Sequence, residues 1–210
     1  MTEMTWERWS AASGLAMVVA GAAAVAFERA PQTAADFAAN RTALLIQSML
    51  FLVGAAASLW FAGSLRTYLM RFEGGTGRLS TVAFGAGVAW AALNIAAQAF
   101  QIGVARDQHG EAQTALLNTM SAMFAIANLP LAVMLLAVAA VSLRYRAFPV
   151  WLGWIAVLAA AAQALLWSTS VMSGGPLAAD SPLSFALYPF FVIWLVPAAL
   201  IMVRRAGDRP

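Results

Sequence analysis

Six times along this chain the charged side chains stop for about twenty residues or more. The runs cover residues 9 to 28, 43 to 65, 80 to 104, 115 to 141, 150 to 172 and 183 to 203, with Glu28 intruding only at the end of the first. A backbone that crosses hydrocarbon must satisfy every N–H and C=O within its own segment, which demands a helix of about 20 mostly apolar residues. Each run meets that length. None alternates apolar with polar residues, and each is about twice the roughly 10-residue length of a barrel strand, so a β-barrel does not fit. The expected fold is all-α: a polytopic membrane protein, one domain over residues 1 to 210, built as a bundle of six transmembrane helices. Composition agrees, with 62% of residues hydrophobic and 10% charged against about 45–50% and 25% in soluble domains.

All twelve basic residues are arginines, and their placement alternates from loop to loop. Arg66, Arg71 and Arg78 follow the second run, Arg144 and Arg146 the fourth, and Arg204, Arg205 and Arg209 the sixth. The other connections hold fewer arginines and more acids: Arg29 and Arg41 with Glu28 and Asp36, Arg106 with Asp107 and Glu111, and Asp180 alone. By the positive-inside rule this predicts a multi-pass protein of a bacterial inner membrane with both termini cytoplasmic. The net charge of +3 then reflects topology and contact with anionic lipid headgroups, not a nucleic-acid surface. The first run resembles a secretory signal in having Ala24-Val25-Ala26, but its leading segment carries Glu3 and Glu7 against Arg8. A signal would be positive there, so an uncleaved anchor is expected.

Missing residue types close several chemistries. Without cysteine there is no disulfide, thiolate nucleophile or cysteine-held metal; without lysine there is no Schiff-base attachment site. The lone histidine, His109, falls in a loop, which leaves no histidine pair for a haem between helices. No metal and no cofactor are expected. Trp6, Trp9, Trp151 and Trp154 fall where an indole ring anchors at a membrane interface.

The uncharged polar residues inside the runs are more informative, because each costs free energy in hydrocarbon unless it meets a partner helix or water. Asn94, Gln98 and Gln101 follow i, i+4, i+7 spacing and share one face of the third helix. On the predicted topology they lie in the outer leaflet. Gln47 and Ser48 of the second run, Asn118, Ser121 and the deeper Asn128 of the fourth, Gln163 of the fifth and Tyr188 of the sixth fall at comparable depth. Two readings stand. In one these groups bond across helix contacts, alongside small-residue packing at Gly14, Gly21, Gly54, Gly85 and Gly87. In the other they line an outward-facing cavity for a small neutral or zwitterionic amphiphile, with Pro130, Pro189 and Pro197 breaking helices around it. The chain is then a non-enzymatic protein that binds or moves that ligand. The alternatives are a structural or regulatory partner of another membrane protein, and an interfacial lipid-modifying enzyme using Asp107, His109 and Glu111.

Two further patterns bear on organisation. Ser64-Leu65-Arg66 with Tyr68, Arg71 and Phe72 is echoed by Ser142-Leu143-Arg144 with Tyr145, Arg146 and Phe148, which suggests a repeated hairpin in which residues 43 to 104 superpose on residues 115 to 172. Phe72-Glu73-Gly74-Gly75-Thr76-Gly77-Arg78 is glycine-rich but lacks the lysine and preceding strand of a phosphate loop, so a turn between helices is expected. The run Leu59-Trp60-Phe61-Ala62-Gly63-Ser64-Leu65-Arg66, the segment Glu73 to Ser80 and the following Val82-Ala83-Phe84-Gly85-Ala86-Gly87 resemble a family of small six-span integral membrane proteins of actinobacteria, catalogued as a domain of unknown function. The resemblance covers mainly residues 41 to 100. It implies the six-span architecture and carries over no catalytic residue.

Overall fold

Apolar side chains alone do not choose between helices that pack and helices that merely insert; contacts do. A computed structural model describes residues 3–27, 34–106, 112–168 and 181–207. Its helices are α1 (Glu3–Ala26), α2 (Ala34–Glu73), α3 (Arg78–Arg106), α4 (Gln113–Tyr145), α5 (Val150–Ser168), α6 (Pro182–Leu187) and α7 (Pro189–Gly207), with no strand among the described residues. Six spans are long and apolar enough to cross a membrane, α6 and α7 together forming the last. The fold is a bundle of six transmembrane helices, and the chain is a multi-pass membrane protein.

Each long helix packs on its neighbour in sequence, and α1 returns to α7, closing a ring in chain order; α2 also touches α4. The end of the ring bearing Arg66, Arg71, Arg144 and Arg205 is termed here the arginine end. α1 starts there, because Glu7 pairs with Arg71 of α2 at 2.6 Å and Trp6 meets Trp60 edge to face at 5.3 Å.

The helices overrun the apolar runs. α2 has 40 residues, about 60 Å at 1.5 Å per residue, twice the hydrocarbon thickness of about 30 Å. Hydropathy marks where hydrocarbon ends, whereas a helix that satisfies its own backbone continues into the headgroups with Arg66 and Arg71 on its surface. Residues 169 to 172, expected at the end of the fifth span, lie outside the described residues. The prolines also differ from expectation. Pro130 and Pro197 lie inside unbroken helices, where neighbouring groups in a membrane bundle make the lost bond tolerable. Only Pro189 coincides with a break: it has no N–H to donate, and the chain changes from α6 to α7 at Tyr188. Ser181 starts α6, its Oγ accepting from Ser184 N at 3.1 Å ahead of Pro182.

Large side chains fill the arginine half of the ring. Leu65 and Leu69 of α2, Leu135 and Val138 of α4, Leu152 of α5 and Trp194 of α7 are buried in one cluster with Phe148. Polar groups tie the helix ends above it. Tyr68 Oη donates to Ala147 O in the α4–α5 connection at 2.7 Å. Arg205 of α7 donates to the same carbonyl at 2.7 Å and to Tyr68 Oη. Three segments thus share one carbonyl, and the Tyr68 ring lies 4.8 Å from that of Phe148. The glycine-rich segment is a turn: Gly74, Gly75 and Gly77 have φ of 68°, 54° and 58°, the left-handed region that glycine enters without strain. Glu73 Oε1 and Oε2 accept from Leu79 N and Ser80 N, each at 2.8 Å. The amides at the start of α3 therefore hold a carboxylate of the chain itself.

Tyr68→Phe keeps the ring contacts and removes only the hydroxyl. Chemical unfolding in detergent should show a loss of about 1 kcal/mol, the usual worth of such a bond; unchanged stability would contradict the tie.

Candidate functional site

The far half of the ring is filled differently. There α1, α2, α3, α4, α5, α6 and α7 enclose a cavity of about 890 Å³, within the range of small-molecule sites. Its apolar lining includes Met17, Phe51, Trp90, Phe124, Phe185 and Phe191, and its polar lining is Gln47, Asn94, Gln98, Gln101, Asn128, Gln163 and Tyr188. Among the described residues, no arginine, aspartate, glutamate or histidine lines it. Phe191 marks the boundary with the core, its ring stacked at 6.2 Å on Trp194 and 5.7 Å from Trp90.

The stripe expected on α3 is real in position: Trp90, Asn94, Gln98, Gln101 and Val104 all face the cavity, one helical face at spacings of three and four. On α4 the expectation is half corrected. Leu117, Met120, Phe124, Asn128 and Leu131 form the lining, whereas Asn118 and Ser121 are exposed and outside it. One residue on a helix is a turn of about 100°, which carries both away from the face of Leu117 and Met120. Their polarity suggested the site, and their phase excludes them. Ser48 is fully buried but does not line the cavity.

Hydrogen bonding within the cluster is uneven. Gln101 Nε2 donates to Gln47 Oε1 at 2.6 Å, joining α3 to α2. Asn94 Nδ2 turns back to Trp90 O at 2.8 Å. Gln98 is 2% exposed, yet its Oε1 has no hydrogen-bond partner, a condition shared among the described residues with Ser48 Oγ and Trp194 Nε1. Gln163, across the ring on α5, is 1% exposed. One amide pair thus bridges helices, while Gln98 lines the cavity with its Oε1 buried and without a partner.

Comparison with known families, curated proteins and solved structures returns no match. The site must be read from its own chemistry.

Asp107, His109 and Glu111 lie outside the described residues. Among those described there is no group of three or more metal-ligating side chains. A second hollow, about 630 Å³, lies at the arginine end between Trp6, Trp60, Arg66 and Phe84. The Arg66 guanidinium sits 6.0 Å from the centre of the Phe84 ring. Trp6, Trp9, Trp151 and Trp154 are all exposed, as interfacial anchors would be. The glycines divide. A side chain at Gly14 would meet Phe61 at 2.7 Å, and one at Gly87 would meet Met134 at 3.1 Å, whereas Gly21 and Gly85 have nothing within 4 Å. Sequence reasoning treated Glu7 only as evidence about a leader and Arg205 only as topology; their partners, 64 and 137 residues away, leave no local signal.

A double-mutant cycle on Gln47→Leu and Gln101→Leu should return a coupling of about 0.6 kcal/mol, typical of interhelical bonds in membranes. No coupling would mean that the two amides are not bonded.

Proposed function

We propose that this protein holds a neutral or zwitterionic amphiphile in the cavity, as a binding or transport protein without catalytic chemistry of its own. The observation that carries the reading is Gln98. A buried amide oxygen without a partner costs about 1–3 kcal/mol, and Gln98 lines a space large enough for a ligand, whose lining also includes Gln163 and Asn128. Turning the amide into that space lets a hydrogen bond from an occupant recover that cost. The uncharged lining supports a ligand without net charge, because an ion in this region would lack a counter-charge. The arginine distribution supports an orientation with that end cytoplasmic, so that the cavity belongs to the outer leaflet of a cell membrane. Membership of the six-span actinobacterial family forms part of the same proposal.

Mass spectrometry of small molecules released from protein purified out of native membranes tests the reading. Wild type should carry a stoichiometric amphiphile that Gln98→Leu loses. Leucine also removes the unpartnered oxygen, so the stripped variant should be as stable as stripped wild type or more so. Native protein free of any bound amphiphile, or a Gln98→Leu variant that retains it fully, would sink the reading.

A further inference from the structure

The cavity has two unlike walls. On one side Gln98, Gln101 and Gln47 are buried and come from α2 and α3, with Gln163 of α5 buried across the ring from them. On the other, α1, α6 and α7 contribute apolar lining, of which Val25, at 58%, and Phe185, at 62%, are exposed and Phe191 is buried, with Tyr188 at 47% between α6 and α7. The geometry of α1 explains the difference. At Gly14 the helix lies so close to its neighbours that an added Cβ would stand 3.2 Å from that of Ala199 on α7. Gly21 is seven residues farther along the same face, lines the cavity, and has nothing within 4 Å of its Cβ position. α1 and α7 thus touch in the arginine half and part toward the far end. α6, which follows the parting on that side, packs mainly on α5. The exposed Val25 and Phe185 lie on this side, where lipid tails would lie, as a sideways opening requires.

The amide wall restricts what can pass. Among the described residues every polar group in it is uncharged, so a zwitterion would bring two full charges to a surface where those residues supply no counter-charge. An unpaired amide end is satisfied by a group that both donates and accepts, and a hydroxyl does so whichever way the amide is turned. Resting on the cavity reading above, we propose that the occupant is an amphiphile with an uncharged, hydroxyl-bearing head, which slides in laterally between α1 and α6–α7 and places that head on Gln98 while its tail trails through the opening.

The test offers lipid-stripped, full-length protein two probes in phosphatidylcholine vesicles: dioleoylglycerol, with one free hydroxyl, and its acetylated counterpart. After repurification, wild type should retain dioleoylglycerol about tenfold over the acetylated form, the worth of one buried hydrogen bond. Gln98→Leu should erase the preference. Gly21→Trp, whose Cβ has nothing within 4 Å and whose ring would fill the opening, should slow loading while leaving Gln98 intact. Because the chain has no cysteine, Val25→Cys capped after folding with a bulky maleimide repeats that block without any risk to folding. Equal retention of the two probes, or of neither, overturns the hydroxyl assignment. Unslowed loading of both blocked proteins overturns the lateral route. Either failure leaves the cavity reading standing if native protein still carries another amphiphile that Gln98→Leu loses, whereas that reading falls with a native protein that carries none.

Discussion

Hydrocarbon offers an amide or a carbonyl nothing to bond to, and the bundle is arranged around that want of partners. The arginine end meets it at the helix ends, although Trp194 Nε1 in the core below has no partner. The Ala147 carbonyl receives both Tyr68 and Arg205, and the Glu73 carboxylate closes the first amides of α3. Both devices connect the ends of neighbouring helices, so the same bonds that satisfy polar groups also hold the ring together. The far half meets the constraint only in part, with Gln47 and Gln101 paired and Gln98 left with an open acceptor.

Packing follows the same division. Six helices in a closed ring leave a centre that side chains must fill. In the arginine half Trp194, Phe148, Leu65 and Leu69 fill it, and Gly14 lets α1 approach Phe61 and Ala199 closely. In the far half the inward residues of α1 are small or short, Gly21 and Ala22 among them, and the centre remains a cavity. Among the described residues the ring is packed in one half and hollow in the other. The hollow and the amides therefore have a common origin, since large apolar side chains in the far half would have removed both.

Much of this was legible in the chain. Apolar runs of about twenty residues dictate helices for a physical reason that no tertiary detail overrides, so six spans were expected and six are found. Their ends were not, because α2 keeps its own backbone bonded well past the last apolar residue. The stripe of Asn94, Gln98 and Gln101 was readable because periodicity on a single helix needs no partner. Asn118 and Ser121 misled because polarity at the right depth says nothing of rotation about the helix axis. Pro130 and Pro197 misled because a proline removes one bond without ending a helix whose neighbours hold it. Tyr68 with Arg205 and Glu7 with Arg71 were invisible, since their meaning lies in residues far away along the chain.

The central claim is that Gln98 and Gln163 border a ligand site and not a packing contact. A high-resolution structure of the protein in its native lipid tests this most directly. The account predicts continuous elongated density reaching from Gln98 outward between α1 and α6–α7. Amide side chains collapsed into a dry contact, or isolated waters alone at Gln98, would contradict it.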